Sequence, residues 1–379
     1  MSTPARIHGG TDALGAARFD FSTNSNACGP CPAALAAVQA ADATRYPDAD
    51  YTQLRQRLAE LHGVERWRIV LAGSASEFIF RISAWVRQCG HSRFWTPAQA
   101  YGDYAHAADA WSLLRSDTLQ EADLVWACEP ASPSGCNHAD WPLQLLQTPV
   151  PGVRQAGPRD IAGAARPTDA VHHTAAGAHQ TVVLDCAYAP LRLSGQPSLN
   201  ATQADQVWRL YSPNKALTLT GIRAAYAIAP AQGRAAAHQL EAMAPSWVVG
   251  VHGEAMLLAW TTDAVQTWLG LCLPTLAAWK AQQVAMLQDL GWQCLPSEAN
   301  FFCALPPAST DVPRLLHHLR SQGIKLRDAT SLGLSGHVRL SAQPPEAQQA
   351  LRAAFTAFER LADAQPSSGF APFTLETSQ

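Results

Sequence analysis

The chain has 379 residues, 47% of them hydrophobic and 15% charged, and its formal net charge is −3. This length allows a sizeable core in one large or two smaller domains, and the near-neutral charge excludes the basic surface that nucleic-acid binding requires. No apolar run is long enough to cross a membrane, and the first residues lack a signal-peptide core, so we expect a cytoplasmic protein.

The first part of the chain alternates between helical and strand patterns after a predicted arm. The arm covers residues 1–40 and contains a short strand at Phe19–Ser22. Alternation of this kind favours an α/β fold with a largely parallel sheet. The predicted elements that follow are a helix at Tyr51–His62, a strand at Arg68–Leu71, a helix at Ala75–Gln88, a strand at Arg93–Thr96, a helix at Tyr104–Leu114 and a strand at Asp123–Cys128.

Residues 149–180 differ in composition from the rest of the chain. They are rich in Ala, Gly, Pro and His and show no apolar periodicity, which predicts a long loop or insertion. The segment contains His172, His173 and His179 but few acidic or cysteine partners, so we expect no metal site there.

The second part of the chain begins with a compact apolar strand at Thr181–Asp185 that ends in a carboxylate. Strands at Gln206–Ser212 and Ala224–Ala229 flank a polar loop, and helical sequence then extends to Leu240. A long helical stretch at Glu254–Gln288 is expected to break at Pro274. The remaining predicted elements alternate strand and helix, at Asn300–Leu305, Pro313–Gln322, His337–Ser341 and Glu346–Ala362, before a loose tail.

Lys215 lies on the polar loop between two predicted strands, in the motif Ser212-Pro-Asn-Lys215, with Arg223 eight residues on. A lysine that is desolvated between buried strands loses its proton more easily, which suits Schiff-base chemistry. Ser212 and Arg223 can hold a phosphate beside it. A solvated surface lysine is the alternative for this loop taken alone.

Three further features suit a phosphorylated aromatic cofactor. Ala72-Gly-Ser-Ala-Ser-Glu77 joins a strand to a helix, where free amides and the Ser76 hydroxyl can bind an anion, although an ordinary helix cap is the alternative. Asp185, at the carboxyl end of its strand, can pair with a ring nitrogen. Tyr188 can reach a ring oxygen, and Tyr101 can stack on the ring.

Cys28-Gly-Pro-Cys31 has the spacing of a thioredoxin redox motif. That motif follows a strand and opens a helix at its first cysteine. The residues before Cys28 are instead typical of a turn-rich loop, and the nine cysteines are odd in number and scattered. We therefore expect thiols in a reducing compartment and no dithiol chemistry.

These residues, in this order, resemble the fold-type I enzymes of the class I/II aminotransferase group, which depend on pyridoxal 5′-phosphate (PLP). The resemblance implies that Lys215 forms the Schiff base with the cofactor and that Asp185 pairs with its pyridinium. Tyr188 is implied at the ring oxygen and Tyr101 on the ring face. The implied phosphate ligands are Ala75, Ser76, Ser212 and Arg223.

The resemblance also implies an aspartate aminotransferase-like α/β fold. Its large domain would hold a mixed, mostly parallel sheet, and its smaller C-terminal domain would be α+β. We expect an arm at 1–40, a large cofactor-binding domain at 41–255, a connecting helix and small domain at 256–363, and a flexible tail at 364–379. Tyr46 resembles the tyrosine that reaches the phosphate of the neighbouring subunit, which implies a homodimer with shared active sites.

Within that group the chain is most similar to the branch of histidinol-phosphate aminotransferase and threonine-phosphate decarboxylase. Arg327 is implied for the substrate phosphate, Arg339 for its carboxylate or phosphate, and His8 and Asn24 for the same pocket. The N-terminal motifs favour decarboxylation of O-phospho-L-threonine, in the cobalamin pathway. The alternatives are transamination of histidinol phosphate or a similar phosphorylated amine, and a protein that binds ligand without turnover.

One departure from the family motif concerns the ring oxygen. The family has Asn-Pro-x-Asn-Pro-Thr-Gly, whose second Asn touches that oxygen, and this chain has Glu129-Pro-Ala-Ser132-Pro-Ser-Gly135. Ser132 is shorter than Asn and carries only a hydroxyl. The oxygen is therefore expected to be held by Tyr188 alone or through water, which changes the electronics of the bound cofactor.

Overall fold

The computed structural model describes residues 9–138 and 180–363, and within them no helix has the length and apolar character needed to span a membrane. Helices flank two main sheets. The helices are α1 (Pro32–Gln39), α2 (Thr52–His62), α3 (Ala75–Gln88), α4 (Gly102–Ala110), α5 (Ala201–Ala204), α6 (Arg234–Ala242), α7 (Val251–Trp260), α8 (Asp263–Asp289), α9 (Val312–Ser321) and α10 (Pro345–Asp363).

The strands of the described residues are short and mostly buried. They are β1 (Phe19–Asp20), β2 (Ile69–Ala72), β3 (Arg93–Trp95), β4 (Leu114–Arg115), β5 (Leu124–Cys128), β6 (Thr181–Asp185), β7 (Trp208–Tyr211), β8 (Ala225–Ile228), β9 (Gln293–Cys294), β10 (Phe301–Leu305), β11 (Ile324–Lys325), β12 (Arg327–Asp328) and β13 (Val338–Ser341).

The larger sheet has seven strands in the order β2-β8-β7-β6-β5-β3-β4, and β8 runs in the opposite direction to the other six. Its inner strands such as β5 and β8 are covered on both faces, which explains why their sequences are continuous apolar runs, whereas the edge strand β4 is exposed. On β2, Ile69 and Leu71 belong to one core and Val70 and Ala72 to the other. This mixed, mostly parallel sheet between helical layers confirms the predicted fold class.

The smaller sheet is antiparallel, in the order β12-β13-β10-β9, and packs with α8, α9 and α10 around its own core. The N-terminal segment joins this unit, because β1 pairs with β11 in parallel and Phe21 lies in the same core. Of the predicted insertion only Gln180 is described, and His8 and the tail from 364 also lie outside the described residues.

Most predicted elements are found within a few residues of their expected bounds, but the long helical stretch is not. Its break falls at Thr261–Thr262, between α7 and α8, and Pro274 lies inside α8. A proline inside a helix lowers the stability of the helix by about 3 kcal/mol. Buried side chains on both sides of Pro274, such as Cys272 and Leu276, keep this helix packed on the core and offset that loss. The expected break at Pro274 is therefore wrong.

Two other predicted bounds also shift. The helix expected at Tyr104–Leu114 occupies Gly102–Ala110, and Leu114 begins β4 at the edge of the sheet. The helical sequence expected to extend to Leu240 forms a single short helix, α6, at Arg234–Ala242.

Candidate active site

A cavity of about 860 Å³ opens between the carboxyl edge of the large sheet and the small antiparallel sheet. Strands β5, β6 and β7 are parallel, so the residues that follow them meet at one edge. The predicted site residues that line the cavity are Ala75, Ser76, Tyr101, Ser132, Asp185, Tyr188, Ser212, Lys215, Arg223, Arg327 and Arg339.

Lys215 lies half-buried on the loop between β7 and β8, with its Nζ 5.3 Å from the centroid of the Tyr188 ring. Among the described residues no hydrogen bond or ion pair engages its ammonium group. The N-terminal segment fixes this loop from outside, because the Asn26 amide donates to the Lys215 carbonyl at 3.0 Å and the Asn26 side chain donates to the Ala216 carbonyl at 3.1 Å. The lysine is thus held by its backbone while its amine stays available.

Asp185 is a buried carboxylate at the end of β6. Its Oδ2 accepts from the Tyr104 hydroxyl at 2.7 Å, and its Oδ1 accepts from the Ala187 amide at 2.9 Å. Burial raises the pKa of Asp185, while the Tyr104 and Ala187 hydrogen bonds and the charge of Lys215 lower it in part. A cationic ring nitrogen beside this carboxylate would stabilise its charged form.

Tyr104 was not anticipated as a site residue. It is fully buried in α4, where its ring stacks on Trp126 with centroids 4.5 Å apart and an interplanar angle of 7°. This packing fixes the hydroxyl against Asp185. The signal in the sequence was the spacing of Tyr101 and Tyr104 across the start of the helix, which brings the two ring centroids to 5.6 Å from each other.

Tyr104→Phe should lower kcat about tenfold while leaving the cofactor bound, because it removes a hydrogen bond to a charged group that is worth about 1.5 kcal/mol. Steady-state kinetics at saturating cofactor measures this change. The matched control is Tyr226→Phe, since the Tyr226 hydroxyl is also buried but bonds to His62 and Trp260 away from the cavity. Equal losses in both variants would mean that only packing had been disturbed.

The predicted phosphate end of the cavity lies at the start of α3. Ser74 caps the helix, since its side chain accepts from the Glu77 amide at 3.0 Å. The Ser76 hydroxyl is therefore not needed as a cap and lines the cavity. Ser76 Oγ donates to Asp103 Oδ2 at 2.5 Å, and the Tyr101 hydroxyl donates to the same oxygen at 2.8 Å. Asp103 orients both side chains and was missed, because no sequence pattern links it to Ser76.

Arg223 and Ser212 complete this end. Arg223 is exposed and lines the cavity, so its guanidinium can reach an anion without losing a partner inside the fold. Ser212 is buried and donates to Asn214 Oδ1 at 3.2 Å. Backbone amides, hydroxyls and one guanidinium are the groups that bind phosphate in proteins.

Arg327 and Arg339 form the opposite end of the cavity. They are directly opposite each other on the antiparallel strands β12 and β13, and their exposed fractions are 5% and 7%. Burial, together with the charge of Arg339, lowers the pKa of Arg327. Like charges placed directly opposite destabilise a sheet, so the arrangement favours an anion that both guanidinium groups can share.

Two predicted site residues do not line the cavity of this chain. Asn24 is buried next to Tyr188, with its Nδ2 3.5 Å from the Tyr188 hydroxyl, and its Oδ1 has no hydrogen-bond partner in the part of the chain that the structure describes. Tyr46 is 77% exposed and stacks on Trp247 with centroids 4.4 Å apart. Its predicted role needs a neighbouring subunit.

Cys28 and Cys31 do not form a redox site of the thioredoxin type. Cys31 is buried at the start of α1, Cys28 is partly buried in the loop before it, and both thiols are free. Burial and the neighbouring Cys272 raise the pKa of Cys28 to about 12. A redox-active thiol instead has a lowered pKa.

Comparison with known proteins agrees with this geometry. The aminotransferase class I and II family matches residues 17–135 and 156–355. The chain is 27% identical over 349 residues to the histidinol-phosphate aminotransferase of Jannaschia sp. (strain CCS1), which covers 89% of this chain and 90% of that protein.

Two solved structures share the fold. The histidinol-phosphate aminotransferase from Sinorhizobium meliloti, in complex with pyridoxal-5′-phosphate, has a TM-score of 0.71, 20% identity, and coverage of 91% of this chain and 92% of that one. The L-threonine-O-3-phosphate decarboxylase from Porphyromonas gingivalis has a TM-score of 0.67, 20% identity, and coverage of 90% and 99%.

The residues in the cavity fit PLP. A buried carboxylate with a raised pKa matches a ring nitrogen that carries a proton, the lysine amine is available, and hydroxyls, amides and Arg223 match a phosphate. The family match extends over most of the chain and includes every element that carries these groups. This chain therefore belongs to the aminotransferase class I and II family and is a PLP-dependent enzyme.

Proposed function

We propose that the enzyme is an aminotransferase that moves an amino group between a phosphorylated amine, of the histidinol phosphate type, and a 2-oxo acid. The observation that carries this proposal is the pair Arg327 and Arg339. The two arginines are buried side by side on neighbouring strands and line the same cavity as Lys215. Two adjacent guanidinium groups suit small substrates that carry phosphate or carboxylate groups, because Arg binds both in a bidentate way.

PLP, when bound, supplies an electron sink that makes a bond at the substrate's amine-bearing carbon easier to break. Lys215 Nζ would take the proton from that carbon and pass it to the cofactor, since a proton returned to the same carbon would leave the substrate unchanged. Asp185 would keep the ring nitrogen protonated, and the Tyr188 hydroxyl would donate to the ring oxygen. Arg327 and Arg339 would orient the substrate so that the correct bond faces the ring.

The sequence motifs alone favour decarboxylation of O-phospho-L-threonine. The histidinol-phosphate aminotransferase of Jannaschia sp. matches over most of this chain, and this similarity supports transamination instead. The decarboxylase neighbour, at 20% identity, supports only the shared fold. We therefore place transamination first and keep decarboxylation as the alternative outcome of the test.

The test separates the two reactions by their need for an amino acceptor. The PLP-loaded enzyme is incubated with histidinol phosphate and 2-oxoglutarate, and glutamate is measured; a second reaction contains O-phospho-L-threonine without any 2-oxo acid, and released CO₂ is measured. Multiple turnovers in the first reaction alone support the proposal. Turnover in the second alone assigns the decarboxylase, and turnover in neither contradicts both substrate assignments.

A shared active site is part of the proposal. Tyr46 and Trp247 present two stacked, exposed aromatic rings, which a second copy of the chain would bury. Tyr46 would then contact the cofactor phosphate of the partner. Sedimentation should show a dimer, and mixing inactive Lys215→Ala with inactive Tyr46 variants should restore part of the activity. A monomer with full activity would contradict this arrangement.

A further inference from the structure

Ser132 contacts Arg339, at the substrate end of the cavity. Arg339 Nη1 donates to Ser132 Oγ at 2.8 Å, and its Nη2 donates to the Ser22 carbonyl at 3.0 Å. Ser132 and Arg339 are 5% and 7% exposed, so water competes little for these hydrogen bonds. The serine therefore helps to fix the plane and direction of the guanidinium.

Both acceptors are uncharged. Among the described residues no carboxylate forms an ion pair with Arg339, and its Nε has no hydrogen-bond partner. Neutral acceptors fix the orientation of a guanidinium without neutralising its charge, so the charge remains available to a ligand. The charge of Arg327 on the opposite strand adds to it.

The ring-oxygen side of the cavity has a different set of groups. The Tyr188 hydroxyl lies within 3.5 Å of Asn24 Nδ2, and the Tyr188 ring lies under the Lys215 ammonium group, 5.3 Å away. Asn24 Oδ1 is buried next to it and has no partner within residues 9–138 and 180–363. Tyr188 and Asn24 thus form a hydrogen-bonding pair beside the lysine, whereas Ser132 Oγ accepts from Arg339.

We propose that Ser132 is a positioning residue for Arg339, and that it sets affinity for the substrate carboxylate without tuning the cofactor ring, a task left to Tyr188 and Asn24. This proposal rests on the proposed function in one respect: it assumes that one of the substrates, the 2-oxo acid or the amino acid formed from it, carries a carboxylate.

The experiment compares Ser132→Ala and Ser132→Thr with the wild-type holoenzyme. Ser134→Ala is the matched control, since Ser134 is in the same loop, is not among the residues that line the cavity and, within the described residues, accepts from the Cys136 amide at 3.3 Å. Two properties are measured without turnover. The first is the dissociation constant of succinate, a dicarboxylate without an amine. The second is the pH at the midpoint of the change in visible absorbance of the lysine-bound cofactor. KM and kcat for 2-oxoglutarate are measured as well.

Ser132→Ala should weaken succinate binding and raise the KM for 2-oxoglutarate, each about tenfold, with kcat little changed and the absorbance midpoint unchanged. Ser132→Thr keeps the hydroxyl and should restore affinity, and Ser134→Ala should behave as wild type. A shifted midpoint in Ser132→Ala, or unchanged succinate affinity, would overturn the proposal. Because succinate binding and the midpoint need no turnover, both remain readable if the proposed substrate is wrong.

Discussion

Lys215→Ala should abolish the visible absorbance of the bound cofactor and lower kcat by more than about 10⁴-fold, because it removes both the covalent anchor and the group that moves the proton. The Lys215 amine is available for both tasks, since it faces the cavity half-buried and without a hydrogen bond or ion pair among the described residues. Absorbance spectra of the reconstituted protein and single-turnover kinetics measure the two losses.

The chain itself supplies the controls, because Lys280 and Lys325 are its only other lysines. Lys280 donates to the carbonyls of Ser297 and Ala299, and Lys325 to Asp12 Oδ2 at 2.8 Å. Borohydride reduction followed by peptide mass spectrometry should therefore find the cofactor only on the peptide that contains Lys215. A cofactor on either of the other two peptides would refute the assignment.

Asp185→Asn should lower kcat about 10²- to 10³-fold while the cofactor stays bound, because a neutral amide no longer stabilises the protonated ring nitrogen. Asn has nearly the same volume as Asp, and its one oxygen can still accept from Tyr104, although the hydrogen bond from the Ala187 amide is then lost. Steady-state kinetics and the cofactor dissociation constant measure the effect.

The same variant should remove a pH dependence from the stability of the cofactor-free protein. Burial raises the pKa of Asp185 in the folded state, so the folded state binds its proton more tightly than the unfolded state does. Its contribution to stability is therefore full below the ordinary aspartate pKa of about 4 and is lost as pH rises through the raised pKa. Urea unfolding of the cofactor-free protein at several pH values should show this loss for wild type and not for Asp185→Asn.

Asp311→Asn is the control for loss of a carboxylate elsewhere. Asp311 is exposed and caps α9 by accepting from the Arg314 amide at 3.1 Å, a task that Asn performs equally well. It should change neither kcat nor the pH dependence of unfolding. If Asp185→Asn also leaves kcat unchanged, Asp185 does not act on the cofactor.

The sequence by itself predicted most of the elements and the candidate residues of the site. Strand β6 was placed correctly because an apolar run that ends in Asp185 is a local pattern, and α3 because Ser74 and the apolar spacing after it mark a helix start. The lysine loop was found in the same way, since Ser212, Lys215 and Arg223 lie within one short stretch. The family resemblance then ordered these pieces into one site.

Only the tertiary structure decided which side chains meet. Tyr104 contacts Asp185 from 81 residues away, and Arg339 contacts Ser132 from 207 residues away. Such pairs depend on strand order and on how the two sheets face each other, and no local periodicity records either. Pro274 shows the same limit, because burial on the core outweighed the local signal for a helix break.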